Sequence, residues 1–276
     1  MAASRWTLDD IAWSRFDRSQ VDPELLRIVK TAAVVERNGA DYGRYLGNVF
    51  ADDAEFQKAA AAWAVAEEQH GRALARWAVT ADPTYDADAA FLRFTALFRI
   101  PVDASLSVRG SRSGELCARC IVETGTSSFY SALRDASTEP VLREICSRIA
   151  ADEIRHYKLF FGHLERYLAR EPLSILARLR VALSRIAEAD DDELASAYHA
   201  GTEVTGVYDR ATSARAYHER ALGLYRRPHV DRAARLIAKA TGLAPSGWAA
   251  RLIGRAMWSV ISFRGRKFSA AYSASV

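Results

Sequence analysis

Proline, cysteine and unbroken apolar sequence are all scarce in this 276-residue chain. Seven prolines leave long stretches free to run on as helix. The three cysteines, Cys117, Cys120 and Cys146, cannot all pair, which excludes a disulfide scaffold and makes a reducing cytoplasm the expected compartment. No run approaches the ~18 consecutive apolar residues of a membrane span. The opening residues, MAASRWTLDDIAWSRFD, bring acids early and no continuous apolar stretch, so no secretory signal is expected. What remains is ordinary globular composition: 50% hydrophobic and 26% charged, with a mean hydropathy of −0.13. The length suits one large domain or two small ones, with ample surface for a core.

Acidic residues are nearly missing from one end. From Arg226 onward the chain carries ten Lys and Arg against Asp231 alone, a local charge of +9 that leaves residues 1–225 at −5. The overall +4 therefore belongs to the tail, and a nucleic-acid partner for the whole protein is not expected.

Helical signals dominate and no convincing strand pattern appears, so the fold class is all-α. Asp22-Pro23-Glu24 marks a helix start, with Asp22 as cap. A single helix is expected from there to Phe50, and a second from Ala54 to Thr80, stopped at Asp82-Pro83. The stretch from Thr84 to Gly114 is mixed, and Ile100-Pro101 breaks any helix before it. A third helix is expected over Ser113 to Ala136 and a fourth from Pro140 to about Arg170. Pro172, the acids Asp190, Asp191 and Asp192, and Pro228 divide the rest into further helices.

Glu-x-x-His occurs twice, as Glu67–His70 in the second helix and Glu153–His156 in the fourth. Residues three apart share a helix face, so each pair offers a carboxylate and an imidazole to one point. The preceding helices each carry a Glu among apolar and small residues: Glu36 lies 31 residues before Glu67, and Glu123 lies 30 before Glu153. The halves repeat at 87 and 86 residues. Two antiparallel hairpins packed together would bring four Glu and two His to mid-height, the ligand set of carboxylate-bridged di-iron and di-manganese bundles. Hard carboxylates bridge two divalent ions, and one imidazole per ion leaves positions open for oxygen. Without metal, four carboxylates at one buried point repel each other and are pushed toward protonation.

This set, with WAVAEEQHGRALARW and IAADEIRHYKLFF around its two motifs, resembles the ferritin-like di-iron carboxylate superfamily. Within it the chain is most similar to soluble, bacterial-type acyl-carrier-protein desaturases, over roughly Glu24 to Arg170. The resemblance implies a ferritin-like four-helix bundle over residues 1–170. Residues 171–276 would add further helices, with a basic, aromatic-rich segment on or beside the bundle. It implies metal ligation by Glu36, Glu67, His70, Glu123, Glu153 and His156, with two ferrous ions, or manganese, as cofactor. Thr126 matches a desaturase threonine tied to proton delivery, and Asp152 one that orients a ligating His across the bundle. Arg155 would join that network. Ala66 stands where desaturases often carry an acid. The implied activity is O₂-dependent desaturation or hydroxylation of an acyl or lipid substrate, free or carrier-bound. Rubrerythrin- or ferritin-like iron handling or peroxide reduction is the alternative. Electrons would come from an external ferredoxin or reductase, because no flavin fingerprint or iron–sulfur cysteine set is present. A cytoplasmic homodimer is implied.

Weaker patterns have two readings each. Gly39, Gly43 and Gly47 follow Glu36 along one face, which suits a substrate channel or close helix packing. Cys117-Ala118-Arg119-Cys120 has redox spacing but falls mid-helix, and no second pair completes a rubredoxin-type site. Tyr130 suits either the cavity wall or the core. His163, His199, His218 and His229 lack ligand spacing. The tail from Ser246 to Phe268 interleaves arginine with Trp248, Leu252, Ile253, Met257, Trp258, Ile261 and Phe263. That pattern suits an anionic membrane surface, an acidic acyl carrier, or packing on the bundle.

Overall fold

The computed structural model describes residues 6–188, 192–202 and 206–273, with side chains to residue 263. Among them are eleven α-helices and no strand. They are α1 (Pro23–Glu36), α2 (Gly39–Val49), α3 (Ala54–Ala81), α4 (Ala87–Leu97), α5 (Arg112–Ala136), α6 (Pro140–Leu168), α7 (Ile175–Ala187), α8 (Asp192–Thr202), α9 (Arg210–Gly223), α10 (Arg227–Thr241) and α11 (Trp248–Ser273).

Caps set the boundaries. Asp22 Oδ1 accepts the Glu24 amide at 2.7 Å ahead of Pro23, as the sequence predicts. Asp53 caps α3, Ser111 caps α5 and Glu139 caps α6 before Pro140. Glu139 also accepts the indole N–H of Trp77 at 2.7 Å, which ties the start of α6 to α3.

One expected helix is two. The run from Pro23 to Phe50 breaks directly after Glu36, at Arg37-Asn38. The Asn38 amide bonds back only three residues, to Val35, and Asn38-Gly39 is a weak helix pair. Tertiary contacts hold the break in place. Arg37 donates to the Ala87 carbonyl at 3.0 Å and pairs with Asp88. A Cβ on Gly71 would stand 2.8 Å from the Arg37 amide nitrogen, so only glycine lets α3 lie this close.

α3 packs against α1, α2 and α6, and α5 packs against α6. Two apolar cores fill this bundle. One gathers Ile28, Leu74, Trp77, Leu133 and Ile145; the other gathers Leu46, Phe56, Leu116, Phe160 and Leu164. Along α3, α5 and α6 the sequence-predicted ligands lie between the two cores, and Glu36 ends α1 where the first core stops. α7 and α10 pack on α5, while α8 and α9 pack on α1. Asp190 and Asp191 lie outside the described residues; Asp192 begins α8.

Candidate metal centre

Glu36 is the last residue of α1, Glu67 and His70 share a face of α3, Glu123 sits midway along α5, and Glu153 and His156 share a face of α6. All six are buried, and both imidazoles are wholly so. Their ligand atoms form two overlapping groups, Glu36–Glu67–His70–Glu153 and Glu67–Glu123–Glu153–His156. Within each group the atoms lie within 4.8 Å of one another. Glu67 and Glu153 belong to both, the arrangement of bridging carboxylates. The His70 Nδ1 atom is 3.2 Å from Glu153 and 3.6 Å from Glu36. The His156 Nδ1 atom is 2.9 Å from Glu67 and 3.6 Å from Glu123.

These contacts do not satisfy the groups that make them. Glu36 Oε2, Glu67 Oε1, both oxygens of Glu123, Glu153 Oε1 and His70 Nδ1 are buried without a well-formed hydrogen bond. Each such orphan costs about 1–3 kcal/mol, more when charged. Burial, reinforced by the charges of Glu153 and neighbouring carboxylates, holds the Glu67 and Glu123 carboxyls well above the ordinary carboxyl range. Burial opposes ionisation of Glu153 as well, but the close approach of His70 and the charge of His156 outweigh it and hold that carboxyl low. His70 is held high for the reciprocal reason, the nearness of Glu153 and Glu36 overcoming burial. Four carboxylates, each with an orphan oxygen, and two imidazoles beside them fit two divalent cations, which would neutralise the charge and take up the lone pairs. The donor set suits iron(II) or manganese(II) and does not choose between them.

Neighbouring side chains fix the centre. The Asp152 Oδ2 atom lies 2.9 Å from His70 Nε2 and accepts the indole N–H of Trp6 at 2.8 Å. Arg155 pairs with the other Asp152 oxygen. With Nε2–H directed at Asp152, His70 turns Nδ1 toward Glu153 and Glu36, and it is the Nδ1 proton that a metal ion would displace. Trp6 stacks flat on His70, with ring centroids 6.1 Å apart. The Thr126 hydroxyl donates to Glu153 Oε2 at 2.6 Å, much closer than its own helix carbonyls at 3.3 Å. The Tyr130 hydroxyl donates to Glu36 Oε1 at 2.5 Å. Trp6 is the participant that sequence reasoning missed: it lies 146 residues from Asp152 and outside every helical pattern.

A cavity of about 320 Å³ opens from the carboxylates. Thr126, Phe129 and Tyr130 of α5 form one side, and Leu194 of α8 with Tyr217 and Leu222 of α9 form another. The glycine stripe is mostly packing. A Cβ on Gly39 would stand 2.5 Å from Glu67 Cβ, and one on Gly43 2.6 Å from Ala64 Cβ, whereas Gly47 faces open space. Gly39 alone of the three also borders the cavity. All three cysteines are buried and unpaired to one another. His163 joins Arg166, and His229 joins Asp135, both through hydrogen bonds away from the centre.

On α11, Trp248, Leu252, Val260 and Phe263 are exposed. The side chains of Arg264, Arg266 and Lys267 lie outside the described residues. Among the described residues no helix is long and apolar enough to cross a membrane.

Compared with models of known families and with curated proteins, the chain matches none. The class defined here is therefore that of an all-helical bundle with a buried carboxylate–histidine cluster that could hold metal ions.

Proposed function

We propose that the protein is a ferritin-like, dinuclear non-haem iron oxidoreductase that uses O₂ to desaturate or hydroxylate an apolar, acyl-type substrate. The observation that carries this reading is the set of six buried ligand side chains, four of them carboxylates with an orphan oxygen, and the apolar cavity that Glu36, Glu67, Glu123 and Glu153 line. An iron-storage protein has no use for such a chamber beside its metal ligands.

Two ferrous ions would supply the redox equivalents and Lewis acidity needed to reduce O₂ and cleave an unactivated C–H bond. Glu36, Glu67, His70, Glu123, Glu153 and His156 would hold them, Glu67 and Glu153 being common to both ligand groups. Asp152 keeps His70 in one tautomer and orientation. The Thr126 hydroxyl, 2.6 Å from Glu153 Oε2 at the cavity wall, holds a proton where one can be passed into the cavity. Phe129, Tyr130 and Tyr217 exclude water from the bond to be broken. Desaturation takes two hydrogens from substrate, two electrons from an external donor and two protons from solvent, and O₂ leaves as two waters; hydroxylation takes the same two electrons and two protons, puts one oxygen atom into the C–H bond and releases the other as water.

Anaerobic Fe(II) loading, followed by O₂, a reductant and candidate acyl substrates with mass-spectrometric readout, tests the reading. Loss of two hydrogens identifies a desaturase and gain of one oxygen a hydroxylase. Retention of the parent's iron content by Glu67→Ala and His156→Ala overturns the proposal. A large mineral load in place of two irons per chain would transfer the protein to iron storage.

A further inference from the structure

Away from the carboxylate cluster the cavity is mostly apolar, but it shares Tyr42, Arg119, Arg185, Glu188 and Glu193 with a second pocket of about 160 Å³. Arg119 and Arg185 border both pockets and Arg109 the second alone, and the three are not equally occupied. Arg109 forms a two-pronged ion pair with Glu188, and Arg185 approaches the same carboxylate at 3.8 Å. Arg119 lies on α5 one turn before Glu123, is 7% exposed and borders both pockets. Its one hydrogen bond is a long one, from Nε to Glu115 Oε1 at 3.3 Å. Glu115 is itself shared, since its other oxygen accepts from Tyr45 and Ser107, both at 2.8 Å. The nearby Glu193 accepts from Tyr42 at 2.8 Å. The guanidinium faces rings, 4.8 Å from the centroid of Tyr42 and 5.9 Å from that of Trp63. A buried guanidinium has five donors in a planar fork. Here the terminal nitrogens make no hydrogen bond to any described residue, and they border a chamber otherwise built for hydrocarbon.

We infer that Arg119 anchors the carboxylate of the substrate, and that the substrate is an amphipathic acid. Its apolar body fills the chamber between Phe129, Tyr217 and Leu222, and its acid group seats on Arg119 close to Glu123. This deepens the proposed function and rests on it for the role of the cavity. The anchor fixes which carbon of the chain faces the carboxylate cluster, because the distance from Arg119 to the centre is set by one turn of α5. Aromatic flanks at Tyr42 and Trp63 hold the guanidinium flat and dry, which strengthens a charge-assisted, two-point contact.

The test is calorimetric titration of the full-length chain, metal-free and Zn(II)-loaded, with octanoate and with 1-octanol. In the parent, octanoate binds about 10- to 100-fold more tightly than the alcohol, the range for a hydrogen-bonded charge in a dry site. Arg119→Gln abolishes that preference while 1-octanol still binds. Arg119→Lys keeps part of it, because one ammonium cannot reproduce the fork. Leu222→Trp, which narrows the chamber, weakens both ligands. Equal affinities in the parent, no binding of either ligand, or a preference that survives Arg119→Gln overturns the inference. If Arg119→Gln fails to fold by circular dichroism, the parent comparison and the lysine variant decide. Iron content is read separately. A chain that prefers octanoate but takes up no iron sinks the oxidoreductase reading and leaves the anchor standing; a chain that binds iron without the acid preference does the reverse.

Discussion

The two helical hairpins of the centre are copies in spacing and opposites in chemistry. Shifted by 86 residues, Ala54–Ala81 of α3 falls on 140–167, almost the whole of α6. The ligands superpose as Glu36 on Glu123, Glu67 on Glu153 and His70 on His156. Their neighbours do not. One turn after Glu36 stands Gly39, where the second hairpin has Thr126; two turns after stands Gly43, where the second has Tyr130. Before Glu67 stands Ala66, where the second has Asp152. The second hairpin supplies the polar partners of both: Tyr130 reaches over to Glu36, Asp152 reaches over to His70, and Thr126 serves its own Glu153. The first hairpin supplies small residues, and they let α2 close on α3. The repeat was kept where metal would need ligands and divided elsewhere into an orienting half and a packing half.

Ligand removal separates shared positions from unshared ones, and its effect is the largest expected. Glu153→Gln touches both groups and takes metal content from two ions per chain to near zero. Glu123→Gln touches one group and leaves about one ion, by elemental analysis after Fe(II) or Co(II) loading. Stability of the metal-free chain moves the other way. The Glu123 carboxyl is raised in the fold, so ionising it costs folding free energy, and that cost grows as pH climbs above the ordinary carboxyl value. Metal-free Glu123→Gln is therefore more stable than the parent by about 1 kcal/mol. The gain in urea melts with chelator is larger at pH 8 than at pH 5; a loss of stability at pH 8 would contradict the charge argument.

Asp152→Asn probes the orienting half. The amide keeps the shape but offers His70 a weaker and ambiguous partner, so metal affinity falls by about 10- to 100-fold while the helices stay intact. Competition titration with a chelating dye measures it. An unchanged dissociation constant would mean that α3 alone holds the imidazole in place.

Matched substitutions two turns after each Glu compare the halves directly. Gly43→Ala places a methyl 2.6 Å from Ala64 Cβ on a neighbouring helix, which costs about 1–3 kcal/mol of stability. Tyr130→Phe removes only the hydroxyl that holds Glu36, so thermal stability shifts little and metal binding at the first group weakens. Equal losses of stability in the two variants would erase the division of labour.

Much of this was legible in sequence because the information is local and repeated. Glu-x-x-His on two helices, each preceded by a Glu some thirty residues earlier, fixes which faces meet, and the structure brings all six residues together. The break after Glu36 falls inside a run that reads as one helix to Phe50, where Asn38-Gly39 is a weak helix pair. What settles the break is tertiary: Gly71 pressed against Arg37, and Arg37 drawn to α4. Trp6, and the cavity walls from α8 and α9, were illegible because they come from segments whose own pattern says only that they are turn or amphipathic helix. Arg119 falls inside the Cys117–Cys120 spacing, and nothing in that pattern says that the side chain borders two pockets, with Glu115 on one side and the rings of Tyr42 and Trp63 on the other.

The smallest effect concerns how the two hairpins are tied at their ends. In the first, Lys30 of α1 meets Asp82 just after α3 at 2.7 Å; the matching positions of the second are Cys117 and Leu168, which join the apolar core. The Lys30 hydrogen bond, followed by that of Thr84, lowers the Asp82 carboxyl to about 2 from its ordinary 3.8. A depressed carboxyl contributes stability that is complete above 3.8 and lost as pH falls through about 2. Asp82→Asn thus costs up to about 1 kcal/mol at neutral pH, the scale of a partly exposed pair, and 0.5 M salt reduces the difference. The parent and variant melting curves converge between pH 4 and pH 2. A difference that persisted at pH 2 would assign the residue's contribution to its turn with Thr84 rather than to charge, and the contrast between the hairpins would then be one of turn against apolar core.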